Sequence, residues 1–376
     1  KCYICSMCPA PVNNGLYPAT LPIRYVTIDG LRGIACIMVA VYHLADAAHL
    51  SGAHVPANPY AWLGFGIEIF FVISGFVITH SIRNAEFSGR YFGLFALRRA
   101  IRLDPPYWAT IMLEVFLVYL SLQFFTNINA SLPSPSQFAL HFFYLQSLAG
   151  YGHIVPVFWS LVYEFQFYLV LVGGMVLLHS LFRKTPAMLK PMTMLFGTVL
   201  YSVSLLTYLG CLSNPLPELF LNRWYQFMSG SLAWLYLWGH VTSRIVITTC
   251  LLTIIAALVT DIDFWHKSST ILVSLMCLSL CSLGRRGLLV TLLSGPGLQF
   301  LGRISYSLFL IHIPIGSRFI AVCLRTLPEQ PGVAMRVTLL GAGLCVSIIA
   351  AWLFYIVLER PSLKFAHRVR LPTSRS

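Results

Sequence analysis

The sequence predicts an all-α protein, a polytopic bundle of about ten transmembrane helices with both termini on the cytoplasmic side. Three observations carry this expectation. Hydrophobic residues make up 57% of the 376-residue chain and charged residues only 10%, whereas ordinary soluble domains carry about 25% charged residues. That polar fraction is too small to cover a water-facing surface, so apolar surface must face lipid. Ten segments approach the roughly 20 mostly apolar residues that a spanning helix needs. The bases are also sorted: 20 of the 25 Lys and Arg fall in stretches that this topology places inside, and only Arg223, Lys267, Arg318, Arg325 and Arg336 fall outside. Such an asymmetry orients membrane proteins.

Taken in order, the expected spans are 26–48, 60–82, 105–126, 155–181, 190–212, 218–238, 243–261, 268–284, 300–325 and 335–358, the eighth being the shortest and weakest. They divide the chain into a cytoplasmic segment 1–25, a membrane domain 26–361 and a short basic cytoplasmic tail 362–376. The tail is too short for a second domain. The first 25 residues hold four prolines and no apolar core, so no signal peptide is expected there. No internal repeat is evident, which disfavours an inverted-repeat transporter. The longest outer loop, 127–154, has no Lys or Arg and is rich in Ser, Pro and His, as suits a lid or a binding element. It contains the sequon Asn129-Ala130-Ser131, a triplet common by chance.

The net charge of +13 would ordinarily suggest nucleic acid, but the bases lie between apolar runs, and no nucleic-acid partner is expected. Seven of the ten cysteines stand alone in apolar runs and read as small buried hydrophobes. Cys2, Cys5 and Cys8 have metal-like spacing but supply only three thiols; lipidation, a weak metal site and chance all stay open. No nucleotide loop, His-Glu-x-x-His or Gly-x-Ser-x-Gly occurs, and no metal is predicted.

Ionisable residues inside spans cost about 2.5–3.5 kcal/mol on insertion scales, so those present mark cavities or paths. In the first span, Arg32 and His43 are eleven residues apart, a net turn of about 20° and a rise of about 16 Å on one helical face. Asp29 lies near that face, and Cys36 and Val39 fill the stripe between. A cation near the inner end and an imidazole near the outer end suit charge binding and proton acceptance. The alternative is a His satisfied by a carbonyl, with Arg32 reaching to the interface. After the second span come Arg98-Arg99-Ala100-Ile101-Arg102-Leu103-Asp104-Pro105-Pro106, in which Arg99 and Arg102 share a face. Two guanidiniums suit a phosphate group, while plain anchoring of the segment is the alternative. Ser160, Glu164 and Tyr168 form a polar stripe at i, i+4, i+8, and Ser305 and His312 form another. Glu164 needs a partner, catalytic or structural; Glu68 and Glu114 are weaker candidates of the same kind.

At these residues the chain resembles the acyltransferase-3 family of integral membrane acyltransferases. The matching stretches are Asp29-Gly30-Leu31-Arg32-Gly33 with His43, Gly66 through Phe76, Arg98 through Arg102, Phe158-Trp159-Ser160-Leu161 with Glu164, Phe167 and Tyr168, Leu301 through Leu310 with His312, and Glu359-Arg360-Pro361. The resemblance implies ten core spans in a cell membrane. It also implies transfer of an acyl group, preferably acetyl, from cytoplasmic acyl-CoA to a hydroxyl of a glycan or other glycosylated acceptor. On this reading His43, Arg32, Asp29 and Glu164 are catalytic, with His43 the general base, and Arg99 and Arg102 hold the coenzyme A phosphates. Trp159, Ser160, Tyr168, Ser305, Tyr306 and His312 are pocket candidates. Some relatives add an extracytoplasmic hydrolase-like domain, for which this chain ends too soon. The Cys-rich start and Asp104-Pro105-Pro106 depart from the family pattern. The rival reading is a secondary transporter whose His, Glu and Arg form a proton or substrate path.

Overall fold

The computed structural model describes residues 25–50, 58–125, 131–216, 218–327 and 331–373. The Cys2, Cys5 and Cys8 cluster and Asn129 and Ala130 of the sequon lie outside them. Among the described residues the chain is helical, without a strand beyond one isolated bridge from Ala85 to Thr373.

The α-helices run α1 Val26–Ala47, α2 Gly66–Ser81, α3 Gly89–Phe124, α4 Pro135–His141, α5 Phe158–Leu181, α6 Pro186–Tyr208, α7 Trp224–Leu237, α8 Ser243–Val259, α9 Phe264–Arg285, α10 Pro296–Ile311, α11 Arg318–Thr326, α12 Val333–Phe354 and α13 Arg360–Arg368. Two π-helical turns, His312–Ser317 and Tyr355–Glu359, join α10 to α11 and α12 to α13. Each of the ten expected segments coincides with a helix. Among the described residues eight rods are long and apolar enough to cross a membrane, counting Ala61–Ser81, Pro296–Thr326 and Val333–Arg368 as continuous. The eighth segment, expected to be the shortest, is a full 22-residue helix. The sixth and seventh are the short ones, at 14 and 17 residues.

The third element begins earlier than expected. Ser88 caps α3 by accepting the Tyr91 N–H at 3.2 Å, and the helix runs unbroken through Pro105 and Pro106. Prolines inside a helix remove N–H donors and free upstream carbonyls, and inside a bundle neighbouring side chains meet such groups. The carbonyls so freed are those of Ile101 and Arg102; next to them Tyr306 donates to the Leu103 carbonyl at 2.8 Å, tying α10 to α3. The arginines expected ahead of the span therefore ride on a helix, with Arg99 and Arg102 one turn apart.

Two close crossings organise the bundle. Gly75 of α2 and Gly230 of α7 face each other's backbones: a Cβ at Gly75 would lie 1.8 Å from the Phe227 carbonyl oxygen, and one at Gly230 1.8 Å from that of Val72. Ser231 adds a hydrogen bond to the Gly75 carbonyl at 3.2 Å. In α1 against α10, a Cβ at Gly302 would lie 2.1 Å from the Asp29 carbonyl oxygen. Small residues let apolar helices approach where lipid gives no hydrophobic drive between them. Outward-facing side chains such as Leu252 (61% exposed) and Val357 (66%) are apolar, as lipid contact requires. The chain is thus a multi-pass membrane protein.

Candidate functional site

Two adjoining clefts penetrate the bundle beside α1. The first is walled by α1, α2, α3, α5 and α10, and the second by α1, α2 and the turn before it, α5, α10 and the starts of α7 and α9. They span about 770 and 1020 Å³ when space open to solvent is counted. Ile67 and Phe309 line both, and both are buried. These two side chains stand where the clefts meet and mark the boundary between them, the Ile67–Phe309 partition.

The first cleft gathers residues from five helices. Arg32, Arg99, Arg102, Ser160, Glu164, Tyr168, Ser305 and Tyr306 all line it. The positive charge is concentrated: Arg99 and Arg32 are the charged groups acting most strongly on Arg102. Like charges held together in a low dielectric favour a multiply charged anion. The arginines are braced from behind. The Arg99 guanidinium lies 4.4 Å from the Tyr168 ring centroid, a cation–π contact. The Tyr168 hydroxyl donates to Glu164 Oε1, and Ser74 Oγ of α2 donates to the same oxygen at 2.9 Å. Glu164 thus bonds across two spans while sharing the cleft with the arginines.

Glu359 completes this side. It is 4% exposed and accepts hydrogen bonds from the Ser307 backbone N–H at 3.1 Å and Ser307 Oγ at 2.6 Å. Its charged neighbours are Arg102 and Arg32. It sits at the end of a π-helical turn, a local widening often found at functional positions.

The second cleft holds His43, with Tyr42, Phe65, Glu68, Trp159, Arg223 and Trp265. The His43 ring packs against Tyr42 at 4.9 Å and against His312 at 5.4 Å between centroids. His312 is fully buried, and its Nδ1 meets the Leu308 carbonyl at 3.0 Å. That acceptor assigns the proton to Nδ1 and leaves Nε2 as an acceptor, without a partner among the described residues. Glu68 pairs with Arg223 at 3.3 Å, and Glu114 pairs with Arg318 at 2.7 Å.

Arg32 and His43 therefore share one face of α1 but open into different clefts, with Cys36 buried between them and donating to the Ser305 carbonyl at 3.1 Å. Trp159 faces the His43 side, while its neighbour Ser160 faces the arginine side. Asp29 and His312 line neither cleft; His312 touches the His43 ring from behind, and the Asp29 backbone carries the contact with Gly302. Sequence reasoning assigned no role to Ser74, Glu359 or Arg223. The first two lie inside runs already singled out, and Arg223 was counted only as an outer base.

Beyond the clefts, the outer segment is fastened to the bundle. Both Glu218 oxygens lie 2.8 and 2.9 Å from His153 Nε2, and Ser147 donates to Glu218 Oε2. Burial pushes the Glu218 carboxyl up, but the hydrogen bonds from His153 and Ser147 outweigh it and hold it below the usual range. Burial pushes His141 down; its Nδ1 meets the Gln137 carbonyl at 2.7 Å and its Nε2 accepts the Ile154 N–H at 3.0 Å, bracing the same segment.

A family model described as "Acyltransferase domain" matches residues 25–356. The YrhL protein of Bacillus subtilis (strain 168), provisionally named a peptidoglycan O-acetyltransferase, is 26% identical over 340 residues, covering 80% of this chain and 50% of its own length. The O-acetyltransferase OatA of Staphylococcus aureus (strain NCTC 8325 / PS 47) is 26% identical over 324 residues, 78% of this chain and 51% of its own length. The peptidoglycan O-acetyltransferase OatA of Listeria monocytogenes is 32% identical over 162 residues, 39% of this chain and 24% of its own. The chain spans about half the length of the curated relatives it matches over most of its own. No solved structure matches it.

Proposed function

This chain belongs to the Acyltransferase domain family, and on that premise we propose that it is a cell-membrane O-acetyltransferase, taking acetyl from acetyl-CoA on the cytoplasmic side and passing it to a hydroxyl of a glycan such as peptidoglycan. The observation that carries this reading is the convergence of Arg32, Arg99 and Arg102 in one cleft that meets the His43 cleft at the Ile67–Phe309 partition. A transporter reading gives no reason for three clustered guanidiniums beside an imidazole in this family.

The residues present fit the donor. Arg99 and Arg102 would hold its phosphates, since guanidinium groups bind phosphate through paired charge-assisted hydrogen bonds. Tyr168, fixed by Glu164 and Ser74, keeps Arg99 oriented. Glu359 balances part of the charge on Arg32 and Arg102. When bound, acetyl-CoA supplies an acyl group whose C–S bond breaks as the new C–O ester bond forms, the sulfur leaving as the thiol. His43 takes the proton of the acceptor hydroxyl and gives it up to the departing sulfur, a role worth about 10²–10⁴ in rate. Arg32, which lines the arginine cleft and is separated from His43 by about 16 Å along α1, would offset negative charge of the donor beside Arg99 and Arg102. Asp29, away from both clefts, acts by setting the first turn of α1 rather than by contact with the reactants.

The test is transfer of labelled acetyl from acetyl-CoA to total cell-surface glycan, in membranes carrying wild type, His43→Ala or Arg99→Ala. The expected result is label in glycan with wild type alone, with coenzyme A binding lost in Arg99→Ala and kept in His43→Ala. Equal labelling in all three would overturn the site assignment. Absence of both labelling and coenzyme A binding in wild type would favour a transporter.

A further inference from the structure

The second cleft contains a buried charge pair that proton transfer at His43 does not require. Glu68 opens α2 and is 4% exposed; Arg223 stands just before α7. Arg223 Nη1 meets Glu68 Oε1 at 3.3 Å, and Ser269 donates to the same oxygen at 3.0 Å. The guanidinium also lies against Trp159 at 5.3 Å and Tyr208 at 4.8 Å. Both charged residues line the wall of the cleft that holds His43.

A buried ion pair is weak support for a fold, because well-packed apolar residues of similar size often serve as well or better. This one is also incompletely satisfied. Glu68 Oε2 and Arg223 Nε have no hydrogen-bond partner among the described residues, and buried polar groups left unpaired are costly. A carboxylate beside a guanidinium offers one acceptor and one donor at a fixed spacing, a match for neighbouring hydroxyl groups. On the same wall stand Phe65 and Trp265, 5.6 Å apart between centroids. Aromatic faces beside paired polar groups are what a sugar ring presents itself to, since it is apolar across its C–H faces and polar at its edge. A site built to hydrogen-bond hydroxyls also rejects analogues that lack them.

We propose that the Glu68–Arg223 pair and the Phe65–Trp265 wall form the acceptor subsite, with the charge pair positioning the hydroxyls of a sugar ring whose apolar face lies on the aromatic wall. The inference rests on the acetyltransferase reading and adds to it the residues that select the acceptor. Arg223 and Glu68 are positioning residues here: they orient the acceptor toward His43 and take no proton.

The experiment uses the full chain in lipid nanodiscs, with acetyl-CoA as donor and soluble peptidoglycan fragments as acceptor. Wild type, Arg223→Lys, Glu68→Gln and Trp265→Ala are compared for coenzyme A affinity and acceptor KM. The expected result is an acceptor KM raised by about tenfold or more, with coenzyme A affinity kept. Trp265→Ala leaves the charge pair intact, so it reads the subsite even where Arg223→Lys or Glu68→Gln fails to assemble. An unchanged acceptor KM in Trp265→Ala and in an assembled charge-pair variant would overturn the proposal. A parallel loss of coenzyme A affinity would overturn it too, by revealing a purely structural pair. Wild type that binds no coenzyme A would instead remove the acetyltransferase reading beneath it.

Discussion

Substituting Gly75 by Ala tests the link between helix packing and site geometry. The added methyl would lie 1.8 Å from the Phe227 carbonyl oxygen, whereas ordinary contact begins near 3.4 Å. The difference between those distances means that α2 and α7 must separate by about 1.6 Å, because both clashing groups are stiff and neither is the end of a flexible side chain. Overpacking of this kind costs about 1–3 kcal/mol. The separation also acts at a distance from the clash. Glu68 and Ser74 ride on α2, and Arg223 leads into α7. The 3.3 Å Glu68–Arg223 contact, which spans these two elements, would stretch beyond hydrogen-bonding range. A misplacement of about 1 Å in a reacting array can cost about 10²-fold in rate, so Gly75→Ala is expected to lose both stability and transfer. The assay is thermal unfolding of the purified protein in detergent followed by tryptophan fluorescence, paired with acetyl transfer in membranes. Gly93→Ala and Gly341→Ala are the controls, since a methyl at either meets nothing within 4 Å. Replacing glycine within a helix there should be neutral or stabilising by up to about 1 kcal/mol. If Gly75→Ala behaves like Gly341→Ala in both measurements, the crossing of α2 and α7 is wrong, and with it the placement of Arg223.

Tyr168→Phe keeps the ring beneath Arg99 and is expected to hold coenzyme A affinity within about threefold, whereas Tyr168→Leu removes a contact worth about 0.5–2 kcal/mol and should weaken binding by about tenfold; isothermal titration with coenzyme A decides, and equal effects would refute the cation–π role. The Glu218 clamp predicts a pH dependence. Its carboxyl is held below the ordinary glutamate value of 4.5, so its contribution is fully present above that value and is lost as pH falls through the lower folded value. Proteolytic nicking within 131–157 should therefore rise as pH falls below 4.5 and through the lower folded value, and Glu218→Gln should nick readily at all pH values; a flat wild-type profile would refute the clamp.

Much of this architecture was legible because hydropathy and charge sorting are local signals. The ten helical segments follow from runs of apolar side chains, and the shared face of Arg32 and His43 follows from 100° per residue. That Glu164 and Tyr168 lie together is equally a matter of i, i+4 spacing. What stayed hidden depends on which helices are neighbours. Ser74 becomes the partner of Glu164 only because α2 runs beside α5. Glu359 joins the arginines only because a π-helical turn brings it against Ser307. Gly75 and Gly230 read as unremarkable small residues until the crossing puts each against the other's backbone. The early start of α3 was masked by Pro105 and Pro106, whose local preference to open a helix is overridden by the bundle around them. The split of the site into two clefts has no local signature, since Trp159 and Ser160 are adjacent in sequence and face opposite sides of it.

The Ile67–Phe309 partition has an electrical consequence. If the arginine cleft opens to the cytoplasm and the His43 cleft to the far side, as the proposed reaction requires, the insulating thickness shrinks from the whole bilayer to little more than those side chains, and most of the resting voltage falls there. Moving one elementary charge through the full voltage drop takes about 2.3 kcal/mol per 100 mV. In the proposed reaction an uncharged acyl–pantetheine arm would cross without electrical work, whereas the donor phosphates, which an inside-negative voltage drives outward, must be held by Arg99 and Arg102. The arginines, and not the field, would then keep the charged part of the donor on its own side.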